Sequence, residues 1–248
     1  MNLPEIRRIH LTETESTNSY ARTLSTDCDV TLITTDHQTA GRGQRGNTWE
    51  SAAGKNLLFS LIVKPERIPA SQQFVLCELI SVALCEVLAQ HTKDIHIKWP
   101  NDIYQKGRKL CGILIEHDLE GMHLSRTIIG VGLNINQAAF TGNAPNPVSL
   151  CQVLGHEVER EVLLEEILDY FVELYMQYTS PTPTLNRETL HKRYTSLLYR
   201  KDEEATYHDA NGSFTATLRT VESDGRLILE DQQGNYRSYL FKEVSYKL

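Results

Sequence analysis

Two clusters in this chain have the residue types and spacing to handle an anion. The first is residues 38–51, Q-T-A-G-R-G-Q-R-G-N-T-W-E-S, where Gly41, Gly43 and Gly46 alternate with Arg42 and Arg45 and Trp49 follows. Glycine lets backbone approach a ligand closely, and arginine offers a fixed charge in a planar fork suited to phosphate or carboxylate. A loop with both has reason to order around an anion, which makes it a candidate lid. The second cluster is Lys98-Trp99-Pro100-Asn101-Asp102, with Lys109 following across a polar turn. Each has a plainer reading alone: a surface turn with solvated arginines, and a solvated ion pair at a strand end. Gly41-x-Gly43-x-x-Gly46 also matches a dinucleotide fingerprint, but residues 47–55 lack the apolar recurrence of the helix that fingerprint requires. A kinase glycine loop is disfavoured too, because neither D-F-G nor H-R-D occurs.

The elements that must hold these clusters are legible from periodicity. Residues 6–11 and 30–35 read as strands, the second feeding the glycine loop. Residues 56–64 (N-L-L-F-S-L-I-V-K) are so apolar that they predict a central strand buried on both faces. Between the first two, Ser16 or Thr17 is placed to cap a helix carrying Tyr20, Ala21 and Leu24. Apolar residues recur at helical spacing over 71–90 and 160–176, and a third helix is expected over 185–198. Residues 95–99, 109–116 and 125–136 predict further strands, with a hairpin at 105–108. Gly112, Gly130 and Gly132 inside strands mark close backbone approach, the floor of a pocket. The last fifty residues change to short alternating runs joined by Asn211-Gly212, Asp224-Gly225 and Gly234-Asn235, which predicts a small β-barrel beginning near Tyr199.

Composition narrows the function classes. With 25 basic and 32 acidic side chains the formal charge is −7, so no global field draws the chain to nucleic acid or anionic lipid. The five cysteines contain no C-x-x-C and sit among apolar neighbours, as small core residues of a reducing compartment. The absence of H-E-x-x-H argues against zinc. No signal peptide is expected, and the apolar run 57–63 is too short to span a bilayer, so the expected location is the cytoplasm and no membrane partner is expected.

Taken together, Ser16-Thr17-Asn18, the 38–49 stretch, Lys98-Trp-Pro-Asn-Asp102, Lys109-Leu-Cys-Gly-Ile-Leu-Ile-Glu116 and Gly130-Val-Gly-Leu-Asn134 resemble biotin protein ligase in order and spacing. The resemblance implies an α+β fold: a mixed, mostly antiparallel sheet with packed helices, class II synthetase-like, over residues 1–198, then an SH3-like β-barrel over 199–248. It implies that biotin and ATP are joined to biotinyl-5′-AMP, with Mg2+ present, and that biotin then passes to a lysine of a biotin carboxyl carrier protein or domain. It assigns catalysis to Lys109, Asp102, Arg42 and Lys98. Biotin falls to Ser16, Thr17, Gln38, Gly41, Arg42, Trp49, Lys109, Gly112 and Gly130. ATP falls to Arg42, Gln44, Arg45, Trp49, Lys98, Asn101 and Asn134, and a metal to Asp102 and Asn134. The pattern begins close to Met1, so a short form without the DNA-binding module of some members is expected, as is a possible homodimer. Gln44 and Asn47 depart from the family's best-studied bacterial pattern, which has arginine at both. Lipoate or octanoate transfer is the enzymatic alternative, and a biotin-binding protein that has lost activity the non-enzymatic one.

Overall fold

The computed structural model describes residues 4–25, 27–142 and 145–247. The chain runs β1 (Ile6–Thr14), α1 (Thr17–Thr23), β2 (Val30–Gln38), β3 (Leu57–Val63), α2 (Phe74–His91), β4 (Ile95–Lys98), β5 (Asp102–Gln105), β6 (Arg108–Glu120) and β7 (His123–Leu133). Then follow α3 (Leu150–Leu154), α4 (Arg160–Thr179), α5 (Arg187–Ser196), β8 (Glu204–Asp209), β9 (Gly212–Val221), β10 (Leu227–Asp231), β11 (Tyr236–Tyr239) and β12 (Val244–Tyr246).

The first seven strands form one sheet in the order β1-β2-β3-β7-β6-β5-β4. Only β1 and β2 pair in parallel, with α1 as their crossover; every other pair is antiparallel. All seven residues of β3 are buried, as an apolar run without alternation demands. Alternation within β3 divides the core in two. Leu57, Phe59, Leu61 and Val63 join the large cluster with α2 and α4, whereas Ile62 joins a small one with Ala21, Ile33 and Ile128 under α1. α1 covers only part of that second face. The rest is the floor of a cavity.

Helix α2 departs from the amphipathic reading. It is buried nearly all round, Glu78 and Ser81 included, because α4 and α5 cover the side that would otherwise meet water. The segment Ala70–His91 is long and apolar enough to cross a membrane by length and composition, and most of it is packed inside this fold. The short α3 was not anticipated. It starts at Ser149, whose hydroxyl and Gln152 form a reciprocal capping box.

The second sheet is all antiparallel, in the order β11-β10-β9-β8-β12. Gly212, Gly225 and Gly234 take positive φ at its turns, where a side chain would be strained. This sheet packs on the first at the Lys98–Asp102 turn: the Trp99 indole N–H donates to the Gly225 carbonyl at 2.9 Å, and its ring meets Phe241 edge-on.

Candidate active site

Antiparallel register sets the site. One cross-strand row reads Leu58, Gly132, Gly112, Asp102, Lys98, from β3 across β7, β6 and β5 to β4. Directly opposed residues share a face, so two backbone-only positions lie beside an acid and a base. The next row reads Ser60, Gly130, Leu114, and the one after it Ile62, Ile128, Glu116. Lys109 needs one more device. Strict alternation from Gly112 would send Lys109 to the opposite face. A β-bulge between β5 and β6 leaves Leu110 unopposed, so Lys109 faces Tyr104 and returns to the side of Asp102. Lys109 Nζ then lies 2.8 Å from Asp102 Oδ1.

A cavity of about 390 Å³ opens on this face. It brings together Ser16, Thr17, Gln38, Arg42, Gln44, Trp49, Lys98, Asn101, Asp102, Lys109, Gly112 and Gly130. Gly41 and Asn134 are not in its lining. Gly41 instead serves the glycine loop, since a Cβ there would fall 2.4 Å from the Trp49 carbonyl. Asn134 staples the end of β7 to the chain before α3: its amide donates to Val148 O and its carbonyl accepts from Leu150, although its Oδ1 is buried without a partner. The Arg45 side chain lies outside the described part of the structure.

Residues 41–49 fold as a tight hairpin around one 3-10 turn, Gln44–Gly46. Gly43 N–H donates to Asn47 O and Trp49 N–H to Gly41 O. This lays the Trp49 ring on the backbones of Gly112 and Gly132, where an added Cβ would come within 2.8 and 2.4 Å of ring atoms. Trp49 Nε1 and Gln44 Oε1 are buried without a hydrogen-bond partner. Such groups are costly to leave unpaired, and in a cavity wall they suit a bound polar molecule.

At the other end, Ser16 is the N-cap of α1, but its side chain makes no capping bond. The capping reading gives way because Gln38 does that job from the end of β2: its Oε1 accepts the Thr17 N–H at 2.8 Å and the Thr17 hydroxyl at 3.2 Å. Ser60 donates to Thr17 Oγ1 at 2.8 Å and lies 2.7 Å from Asn18 Oδ1. The Asn18 amide donates to Glu116 at 2.9 Å. This is a compact polar pocket in an otherwise apolar face, in which Ser16, Thr17, Asn18 and Ser60 are nearly inaccessible to solvent and Gln38 is half-buried.

The cations differ in their partners. Lys98 sits with its ammonium 5.2 Å from the Tyr104 ring centre and 4.9 Å from that of Tyr246. Burial pushes its pKa down; Asp102 opposes that and Lys109 reinforces it. Arg42 is tied to Glu116 at 3.2 Å, and Arg22 to the same oxygen at 2.9 Å. Burial pushes the Glu116 carboxyl up, but hydrogen bonds from Arg22 and Asn18 and the charge of Arg42 outweigh it, so it lies below the usual value. Asn101 donates its amide to Ile113 O, fixing the turn that carries Asp102.

Sequence reasoning gave no role to Asn18, Ser60 or Glu116. Their signals existed: a lone hydroxyl in an apolar strand, and polar residues inside the Ser16-Thr17-Asn18 and Lys109–Glu116 runs. Lys242, Ser245 and Tyr246 also line the cavity from the second sheet. Nothing in their local sequence points to a site more than a hundred residues away. Among the described residues, no group of three or more His, Cys, Asp or Glu could hold a metal. Asp102 already pairs with Lys109 and Asn134 stands outside the lining, so together they do not fit a resident metal centre.

Residues 6–134 match the family model for the Biotin/lipoate A/B protein ligase family, and the chain belongs to that family. It is 33% identical over 215 residues to the bifunctional ligase/repressor BirA of Bacillus spizizenii, covering 84% of this chain and 64% of that protein. The chain thus spans somewhat less than two thirds of that relative's length. It is 26% identical to the biotin–[acetyl-CoA-carboxylase] ligase of Paracoccus denitrificans, over 90% of this chain and 94% of that one. In fold it is similar to the biotin protein ligase of Aquifex aeolicus solved with biotin and ATP. That match has a TM-score of 0.80 and 23% identity, covering 97% of this chain and 98% of that one.

Proposed function

We propose that the protein is an ATP-dependent, AMP-forming biotin ligase acting on a biotin carboxyl carrier protein or domain. The observation that carries this is the Lys109–Asp102 pair at 2.8 Å, in one cavity with Lys98, Arg42 and an unpartnered Trp49 N–H. In the first step a biotin carboxylate oxygen bonds to the α-phosphorus of ATP, the α–β phosphoanhydride bond breaks, and pyrophosphate leaves. At 4 Å and an effective dielectric of about 20, each pair of like charges costs roughly 4 kcal/mol. Lys109 and Arg42 are the side chains placed to offset that at the reacting centre, and Lys98 at the nucleotide phosphates. In the second step the carrier lysine nitrogen bonds to the biotinyl carbonyl carbon and AMP leaves. Asp102 orients that amine and takes its proton.

The polar pocket of Ser16, Thr17, Asn18, Gln38 and Ser60 suits the ureido ring of biotin. A buried ureido group left unpaired would cost about 1–3 kcal/mol, and an acyl chain such as lipoate could not use these partners. Trp49 closes over the ligand and keeps water from the mixed anhydride. Magnesium enters as the counterion of ATP rather than on a site of its own. The five cysteines form no disulfide, in keeping with a reducing compartment such as the cytoplasm.

The test is biotin-dependent exchange of pyrophosphate into ATP, with lipoate and octanoate assayed beside biotin, then transfer to a purified carrier domain. Exchange with biotin alone and labelling of one carrier lysine are expected. Exchange supported equally by lipoate would overturn the substrate assignment. Biotin binding without exchange would leave only a binding protein.

A further inference from the structure

The carboxylate of Glu116 stands where the cavity floor meets the glycine loop. It points to that face by strand alternation, in line with Gly112 and Leu114, and its side chain is 14% exposed. Its two oxygens have different duties. Oε2 takes the Asn18 amide at 2.9 Å; Asn18 Oδ1 accepts from Ser60, which also bonds Thr17, and Thr17 bonds Gln38. Oε1 takes Arg22 at 2.9 Å and Arg42 at 3.2 Å. A continuous polar chain therefore runs from Gln38 to the loop arginine, and Glu116 is the member that joins Asn18 of the pocket to Arg42 of the loop.

We propose that Glu116 is a positioning residue that couples the polar pocket to the glycine loop by holding Arg42 until a ligand anion competes for it. The inference rests on the functional reading above. Sharing one oxygen makes the exchange feasible. When Arg42 turns to a phosphate or carboxylate, Arg22 and Asn18 still satisfy Glu116, so no partly buried charge is left unpaired. The shorter bond belongs to Arg22, on α1; the longer belongs to the loop. The loop is the partner built to leave.

The experiment is amide hydrogen exchange of Gly43, Asn47 and Trp49, whose N–H groups close the loop hairpin, in the ligand-free protein. Glu116→Gln should speed their exchange by roughly three- to fivefold, the scale of a partly exposed ion pair. Arg42→Gln should do the same, and the double variant no more than either. Arg22→Gln should leave the loop amides unchanged, since Glu116 keeps Arg42. Unchanged loop exchange in Glu116→Gln, additive effects in the double variant, or equal acceleration by Arg22→Gln would each overturn the coupling. Should Glu116→Gln not fold, Arg42→Gln against Arg22→Gln decides alone. Wild-type protein that takes up neither biotin nor ATP would defeat the functional reading instead, by a separate measurement.

Discussion

On the proposed function, replacing Asp102 by alanine should separate the two half-reactions. The acid lies 2.8 Å from the Lys109 ammonium, and at an effective dielectric of about 20 that separation corresponds to roughly 6 kcal/mol of gross attraction. Both side chains remain about a fifth exposed, so the net value after desolvation is far smaller. The consequence for step one is mild, because Lys109 loses a competitor for the incoming carboxylate. Pyrophosphate exchange should stay within about threefold of wild type. Step two differs. A free lysine near pKa 10.4 is deprotonated in only roughly four molecules per ten thousand at pH 7. Loss of the positioned base should slow transfer from preformed biotinyl-AMP by roughly 10²- to 10⁴-fold. Single-turnover transfer to a carrier domain, beside pyrophosphate exchange on the same preparation, measures both. Asp102→Asn controls for shape, and it should match alanine in transfer. Equal losses in the two half-reactions would refute the division of labour.

Three further outcomes follow from the geometry. Trypsin should cut ligand-free protein first at Arg42 or Arg45, and biotin with ATP should protect both; unchanged cleavage with ligands would remove the lid. Burial lowers the Lys98 pKa, so its charge is lost at lower pH than that of an ordinary lysine. kcat/KM for ATP should accordingly decline on an alkaline limb lying below 10.5, and Lys98→Arg should move that limb upward. A coincident limb in the arginine variant would mean another group titrates. Gly130→Ala would place a Cβ 2.1 Å from Asn18 Oδ1, displacing Asn18 from Ser60. Leaving those buried groups unpaired should cost about 1–3 kcal/mol and weaken biotin binding by about tenfold or more. Calorimetry with biotin and a thermal midpoint test this, and unaltered values for both would show that the pocket tolerates a side chain.

How much of this was visible in the sequence depends on the range of the interaction. β3 was legible because six apolar residues broken only by Ser60, without alternation, have few other fates, and the chemistry-bearing motifs because glycine and arginine together serve few structural purposes. α2 was read as one-sided, since the pattern of one helix cannot say whether others will cover its outer face. The cross-strand row of Gly132, Gly112, Asp102 and Lys98 is a property of register, and register is shared between strands. The bulge at Leu110 has no composition signal at all, yet it decides the face of Lys109. The contribution of Lys242 and Tyr246 was hidden for a similar reason: it depends on how the second sheet docks, which Trp99 and Gly225 settle across a long stretch of chain.

The pairing of the cations also argues for an order of events. Among the described residues no carboxylate lies within 4.0 Å of the Lys98 ammonium, which is held between two tyrosine rings, so it can receive nucleotide phosphates without exchanging a partner. Lys109 and Arg42 each begin on a protein carboxylate, Asp102 and Glu116. On the proposed reading, drawing Lys109 onto the biotin carboxylate uncovers Asp102 before the acyl group is activated. The base needed for transfer is then masked until biotin binds, and one 2.8 Å ion pair serves both half-reactions in succession.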